Sequence, residues 1–186
     1  MTELLLASLW IALPVILGGI CHVLVIKLNL WPGLARRPLD FGRTFRGRRI
    51  FGDNKTWRGV VAMIGPTAFW SLVLAVSSEG AAVRPLPALL WGAWLGLGYL
   101  VGELPDSFLK RQLDVAPGDT VRGPLRALFL VLDQGDSLLG VLAFMLLAAP
   151  VPVPPQVCLC LLAIGFIVHP TISFLMVKMG LKKRMG

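Results

Sequence analysis

Asp133 and Asp136 stand three residues apart, with Gln134 and Ser137 beside them and Gly140 one turn further on. On a helix that spacing puts both carboxylates on one face, with Cβ atoms about 5–6 Å apart. Like charges that close raise each other's pKa unless a cation lies between them. Mg2+ is the natural cation, because it takes hard oxygen ligands and bridges protein carboxylates to substrate phosphates. A second set precedes them. Glu103, Ser107 and the pair Lys110-Arg111 are separated by about one and two helical turns. With Pro105 in the first turn of a cytosolic helix, where its missing N–H is harmless, these side chains project on related faces. Asp106 and Lys110 then form an i,i+4 pair, which reads as a surface salt bridge worth a few tenths of a kcal/mol. Asp114 and Asp119 flank the Pro117-Gly118 turn signal and read as solvated loop acids.

A third set, Gly52-Asp53-Asn54-Lys55-Thr56-Trp57-Arg58-Gly59, mixes a turn former, amide and hydroxyl groups, two cations and an aromatic. That mixture suits a polyphosphate: Lys55 and Arg58 for charge, Asn54 and Thr56 for directional hydrogen bonds. The arginines just before it, Arg43, Arg46, Arg48 and Arg49, suit anionic lipid headgroups, at about 1 kcal/mol per basic residue near a membrane surface.

The elements that must hold these groups are membrane spans. The 186 residues are 56% hydrophobic and 15% charged, with mean hydropathy +0.77. A soluble domain is nearer 45–50% apolar and about 25% charged. Stretches of about 20 apolar residues mark spans. Leu4–Ile26, Gly59–Ser78 and Val157–Val177 qualify directly. Pro87–Gly102 qualifies by borrowing flanking residues, and Ser137–Pro150 does so if its helix begins near Asp133 or earlier. Lys and Arg number 0, 9, 1, 4, 0 and 4 in the successive segments outside or between these spans. That alternation follows the positive-inside rule for five spans, with the N-terminus outside and the C-terminus cytoplasmic. The net charge of +8 is then an orientation signal, and nucleic acid is not an expected partner. The first span lacks the basic flank of a signal peptide and carries Glu3 instead. Cys21, Cys158 and Cys160 lie in apolar spans and read as small buried hydrophobes. His22 and His169 read as packed or hydrogen-bonded core histidines. The expectation is an all-α polytopic membrane protein, a single domain over 1–186, with two functional cytoplasmic loops. A homodimer is compatible with it.

Three blocks, in order, resemble the CDP-archaeol synthase family, which is related to the CDP-diacylglycerol synthases (phosphatidate cytidylyltransferases). They are Asn54-Lys55-Thr56-Trp57-Arg58-Gly59, then Gly102-Glu103-Leu104-Pro105-Asp106-Ser107-Phe108-Leu109-Lys110-Arg111, then Leu132-Asp133-Gln134-Gly135-Asp136-Ser137-Leu138-Leu139-Gly140. The family pattern carries Asp where this chain has Glu103, and small apolar residues where it has Pro105-Asp106. The resemblance implies a reaction in which CTP and a lipid phosphate give a CDP-activated lipid and pyrophosphate with Mg2+, in phospholipid biosynthesis at the inner (plasma) membrane, on its cytoplasmic face. It implies Asp133, Asp136 and Glu103 as metal ligands, Lys110 as a catalytic cation, and Asn54, Lys55, Thr56, Arg58, Ser107, Lys110 and Arg111 as substrate-binding groups. The lipid is an isoprenoid glycerol ether phosphate or a phosphatidic acid-like molecule. A transporter or flippase for an anionic lipid is the alternative from the residues alone, since carboxylates at membrane boundaries also suit a coupling-ion site. A non-enzymatic anchor recruiting through the basic loop is a third reading, and it has no use for Asp133 and Asp136.

Overall fold

Runs of about 20 apolar residues cannot leave backbone N–H and C=O groups unpaired in hydrocarbon, so each must close its hydrogen bonds internally as a helix. The computed structural model, which describes residues 2–78, 84–149 and 152–181, follows this rule. The basic tail residues Lys182, Lys183 and Arg184, which contribute to the charge-based orientation, lie outside the described residues. The helices are α1 (Thr2–Lys27), α2 (Pro32–Ala35), α3 (Trp57–Ser77), α4 (Pro85–Gln112), α5 (Arg126–Ala148) and α6 (Pro155–Lys178). All but α2 are long and apolar enough to cross a membrane.

α3 packs between α1 and α4, α4 continues onto α5, and α6 closes against α5 and α1. The five spans thus form a ring. Its dry core gathers Leu95 and Met145, both fully buried, with Val141, Leu142, Val157 and Leu161. The outward faces carry exposed Phe69, Leu147 and Ile167, which lipid tails solvate as well as another Leu would.

The tightest seam is between α4 and α5. A β-carbon at Gly140 would collide with the Gly98 carbonyl oxygen and lie 2.7 Å from the Gly102 Cα. A β-carbon at Gly102 would in turn collide with the Asp136 carbonyl oxygen. The two backbones touch because both positions lack side chains. Further along the seam, Trp94 Nε1 donates to the Phe144 carbonyl at 2.7 Å.

Pro105 does not begin a separate cytosolic helix. α4 runs unbroken for 28 residues through it, about 42 Å at 1.5 Å per residue. Membrane helices tolerate an internal proline because neighbouring groups satisfy the freed backbone, and Pro14, Pro66 and Pro170 sit inside α1, α3 and α6 likewise. The second functional block therefore belongs to the end of a membrane helix and not to a loop. α5 begins at Arg126, early enough to carry Asp133 and Asp136 on its own first turns.

The loop between α1 and α3 folds into a strap. Two short antiparallel strands, β1 (Thr44–Phe45) and β2 (Arg48–Arg49), pair Thr44 with Arg49 and Phe45 with Arg48. Arg46 and Gly47 turn between them with φ of 51° and 80°, the backbone of the two-residue turn that matches strand twist. The strap is tied to the end of α4: Arg48 pairs with Asp114 at 2.6 Å, and Gln112 Nε2 donates to the Arg49 carbonyl at 3.3 Å.

Candidate functional site

On α4, Glu103, Asp106, Ser107, Lys110 and Arg111 fall at i, i+3, i+4, i+7 and i+8. That is the periodicity of one helix face, here written in polar residues. On α5, Asp133, Asp136, Ser137 and Gly140 repeat the pattern. The Gly102–Gly140 contact presses the two stripes together. Oxygens of Asp106, Asp133 and Asp136 consequently lie within 4.8 Å of one another. The Lys110 ammonium bridges two of them, 2.8 Å from Asp106 Oδ2 and bonded to Asp133 Oδ1. The Asp106 and Lys110 side chains are 6% and 9% exposed. This overturns the reading of their ion pair as a surface salt bridge: the pair exists, but it is buried between helices. Asp106 Oδ1 is itself buried without a hydrogen-bond partner.

Glu103, expected with Asp133 and Asp136, lines the same cavity and is bonded by Lys55 Nζ from the strap, while the three carboxylates whose oxygens converge are Asp106, Asp133 and Asp136. The structure seats Asp106 in the carboxylate cluster. Arg111 is buried, its Nη1 donates to the Val115 carbonyl, and its Nε has no partner.

These groups form one end of a cavity of about 550 Å³. Asn54, Lys55, Ser107, Lys110 and Arg111 all line it. Thr56 and Arg58 do not: Thr56 precedes the first turn of α3, and Arg58 Nη1 donates to Asn29 Oδ1 at 3.1 Å. The body of the cavity is hydrocarbon, walled by Ile11, Val15, Leu142, Leu161 and Ile164 from α1, α5 and α6. Asp119, read as a solvated loop acid, is exposed and stands on the cavity wall, whereas exposed Asp114 is taken by Arg48.

His22 and His169 also line the cavity, a placement beyond the packed or hydrogen-bonded role expected of them. His169 Nδ1 lies 3.3 Å from Gln134 Oε1, and its ring is 6.5 Å from that of Tyr99, another wall residue. The three cysteines are free and partly buried, as expected of small apolar fillers.

The strap has its own buried charge, one that spacing alone does not mark. Asp40 accepts from Arg49 Nη2 at 2.6 Å and from the backbone N–H groups of Phe51, Gly52 and Gly42. Burial alone would raise the Asp40 carboxyl; the Arg49 guanidinium and the three backbone donors outweigh it and hold the group well below the usual carboxylate range. Arg49, bonded by Asp40 and Asp53, is held above its ordinary value.

A hydrocarbon cavity ending in carboxylates, lysines and an arginine is suited to an amphiphile with a phosphate head and to a cation. Over residues 1–185 the chain matches the family described as CarS-like, CDP-archaeol synthase. The chain belongs to this family. CDP-archaeol synthase from Pyrococcus furiosus is 35% identical over 91% of this chain and 86% of its own length. That from Thermococcus onnurineus is 34% identical over 96% and 95%. A solved structure described as an intramembrane enzyme for archaeal membrane lipids biosynthesis superposes with a TM-score of 0.64. It is 27% identical and covers 91% of this chain and 94% of its own. The five-span ring is thus shared with an intramembrane enzyme, and the polar seam of α4 and α5 lies within the matched CDP-archaeol synthase region.

Proposed function

We propose that this chain is an intramembrane cytidylyltransferase that activates a lipid phosphate with CTP. A phosphate oxygen of the lipid forms a bond to the α-phosphorus of CTP. The bond from that phosphorus to the bridging oxygen breaks, and pyrophosphate leaves. The products are a CDP-activated lipid and pyrophosphate. The observation that carries this reading is the joining of a hydrocarbon cavity to a buried cluster of three carboxylates, Lys110 and Arg111.

The carboxylate cluster fits a divalent cation. It offers three hard oxygen donors that converge, and Asp106 Oδ1 is buried with no other partner. Asp106, Asp133 and Asp136 would hold Mg2+, whose chemistry is to neutralise phosphate charge and orient the reacting oxygens. Lys55, Lys110 and Arg111 supply further positive charge around the phosphates, Arg111 in the planar form that matches two phosphate oxygens. Asn54 and Ser107 add directional hydrogen bonds. Thr56 and Arg58 lie off the cavity wall, and Arg58 ties the start of α3 to the segment after α1 through Asn29. The protein's work is positioning and charge neutralisation.

The lipid is an isoprenoid glycerol ether phosphate or a phosphatidic acid-like molecule, and the apolar wall accepts either hydrocarbon. The active site faces the cytoplasm of the plasma membrane. The charge alternation supports that orientation, and a C-terminal tag accessible only from outside would refute it. Purified protein supplied with Mg2+, CTP and a panel of lipid phosphates should release pyrophosphate and form one CDP-lipid preferentially. No pyrophosphate with any of the lipids, together with lipid flux in vesicles lacking CTP, would replace the enzyme by a transporter.

A further inference from the structure

Asp40 does not line the cavity, yet its side chain is wholly buried. A carboxylate taken out of water in a surface strap is costly unless its lone pairs are fully used. Here they are. Besides the Arg49 Nη2 contact, Arg49 Nε lies 3.3 Å from Oδ2. Phe51 and Gly52 donate to Oδ2 at 2.9 and 3.1 Å, and Gly42 to Oδ1 at 3.0 Å. These contacts close the strap around one atom group.

The closure reaches the cavity by two short routes. Gly52, held by Asp40, accepts from the Lys55 backbone N–H at 3.3 Å. Leu39, the neighbour of Asp40, donates to the Lys55 carbonyl at 2.8 Å. Lys55 is therefore clamped on both sides by backbone that Asp40 organises. Gly52 also lies against Arg111: a β-carbon there would come within 3.2 Å of Arg111 Cδ and 3.3 Å of Nε, and its φ of +87° favours glycine. We propose that Asp40 is a positioning residue that, through the Gly52 turn, sets Lys55 at the phosphate end of the cavity, beside Arg111.

The proposal rests on the assignment of Lys55 to substrate binding, and one set of variants separates the two. In full-length protein reconstituted in lipid, Asp40→Asn should lower kcat/KM for CTP by about 10- to 100-fold, the scale of misplacing a binding group. In a Lys55→Met background the same change should cost less than about threefold, because groups acting through one another are non-additive. Asp53→Asn, which removes only the exposed end of the Arg49 pairing, should stay within about twofold. A wild-type rate for Asp40→Asn overturns the proposal, as do losses that multiply independently in the double variant. A fully active Lys55→Met overturns the assignment of Lys55 instead. If Asp40→Asn does not accumulate in the membrane, Arg49→Gln, at a partly exposed side chain, carries the same test. It should show the same non-additivity with Lys55→Met, and a wild-type rate for it refutes the positioning role.

Discussion

Gly140→Ala is the sharpest test of how the site is assembled, because the change adds one methyl and removes no functional group. The new β-carbon would lie 2.7 Å from the Gly102 Cα and 2.8 Å from its nitrogen, and would collide with the Gly98 carbonyl. All three obstacles are backbone and cannot rotate aside. Ordinary contact begins at 3.4 Å, so the Gly102 contact alone asks α4 and α5 to separate by at least about 0.7 Å, and the Gly98 oxygen asks for more, in a close-packed seam that has no slack. Asp106 and Lys110 ride on one helix, Asp133 and Asp136 on the other. Oxygens now within 4.8 Å of each other would draw further apart, away from the spacing of about 4.2 Å or less that separates ligands of one ion at bonds of about 2.0–2.1 Å. Overpacking of this kind costs about 1–3 kcal/mol of stability, and a misplacement near 1 Å costs about 100-fold in rate. The expected result is a folded protein in detergent with a modestly lowered Tm and CTP-dependent pyrophosphate release reduced by about 30- to 100-fold. Gly65→Ala is the control, since nothing lies within 4 Å of its added carbon and alanine favours a helix over glycine by about 1 kcal/mol. Wild-type turnover by Gly140→Ala would refute the claim that this contact sets the site.

Asp106→Asn, Asp133→Asn and Asp136→Asn should each reduce CDP-lipid formation by at least about 100-fold while the protein still folds, and chelation of divalent ions should do the same to the wild type. Full activity of Asp106→Asn would exclude it from the cluster. Lys110→Met leaves Asp106 and Asp133 without their shared cation, a loss of about 3–5 kcal/mol for a broken buried pair. Its Tm should fall, and Mg2+ should raise that Tm more than it raises the wild type's; equal shifts would count against metal binding at these carboxylates. Asp40 has a native pKa below its unfolded value. Its contribution to strap order is therefore complete above the unfolded carboxylate range, near pH 4, and is lost progressively as pH falls below it. Amide protection at Gly42, Phe51 and Gly52, measured by hydrogen exchange, should hold from pH 7 to about 4 and decline only in stronger acid; loss of protection already at pH 6 would contradict the assignment.

Much of this protein is legible in its residue string because membrane physics is local. Backbone polar groups in hydrocarbon must pair within their own segment, so the spans follow from runs of apolar residues. The cation count alternates along the chain, which sets an expected orientation before any packing is considered. The carboxylate pair Asp133 and Asp136 is legible too, since i,i+3 spacing on a helix fixes a shared face. Asp106 is different. Its own spacing to Lys110 describes a surface pair equally well, and only the polar stripe at 103, 106, 107, 110 and 111 hints otherwise. Whether that stripe faces water or a neighbour depends on contacts between helices, which local spacing does not contain. The structure decides it by the glycine seam of α4 and α5, which buries Asp106 beside Asp133, both bonded by Lys110. The same holds for Asp40, whose partners lie up to 12 residues away, and for His22 and His169, drawn from two different spans onto one wall. Sequence determined the spans and the kinds of chemistry they carry. Tertiary packing decided which charges meet, because a buried charge is set by the neighbours that compensate it, and those neighbours come from elsewhere in the chain.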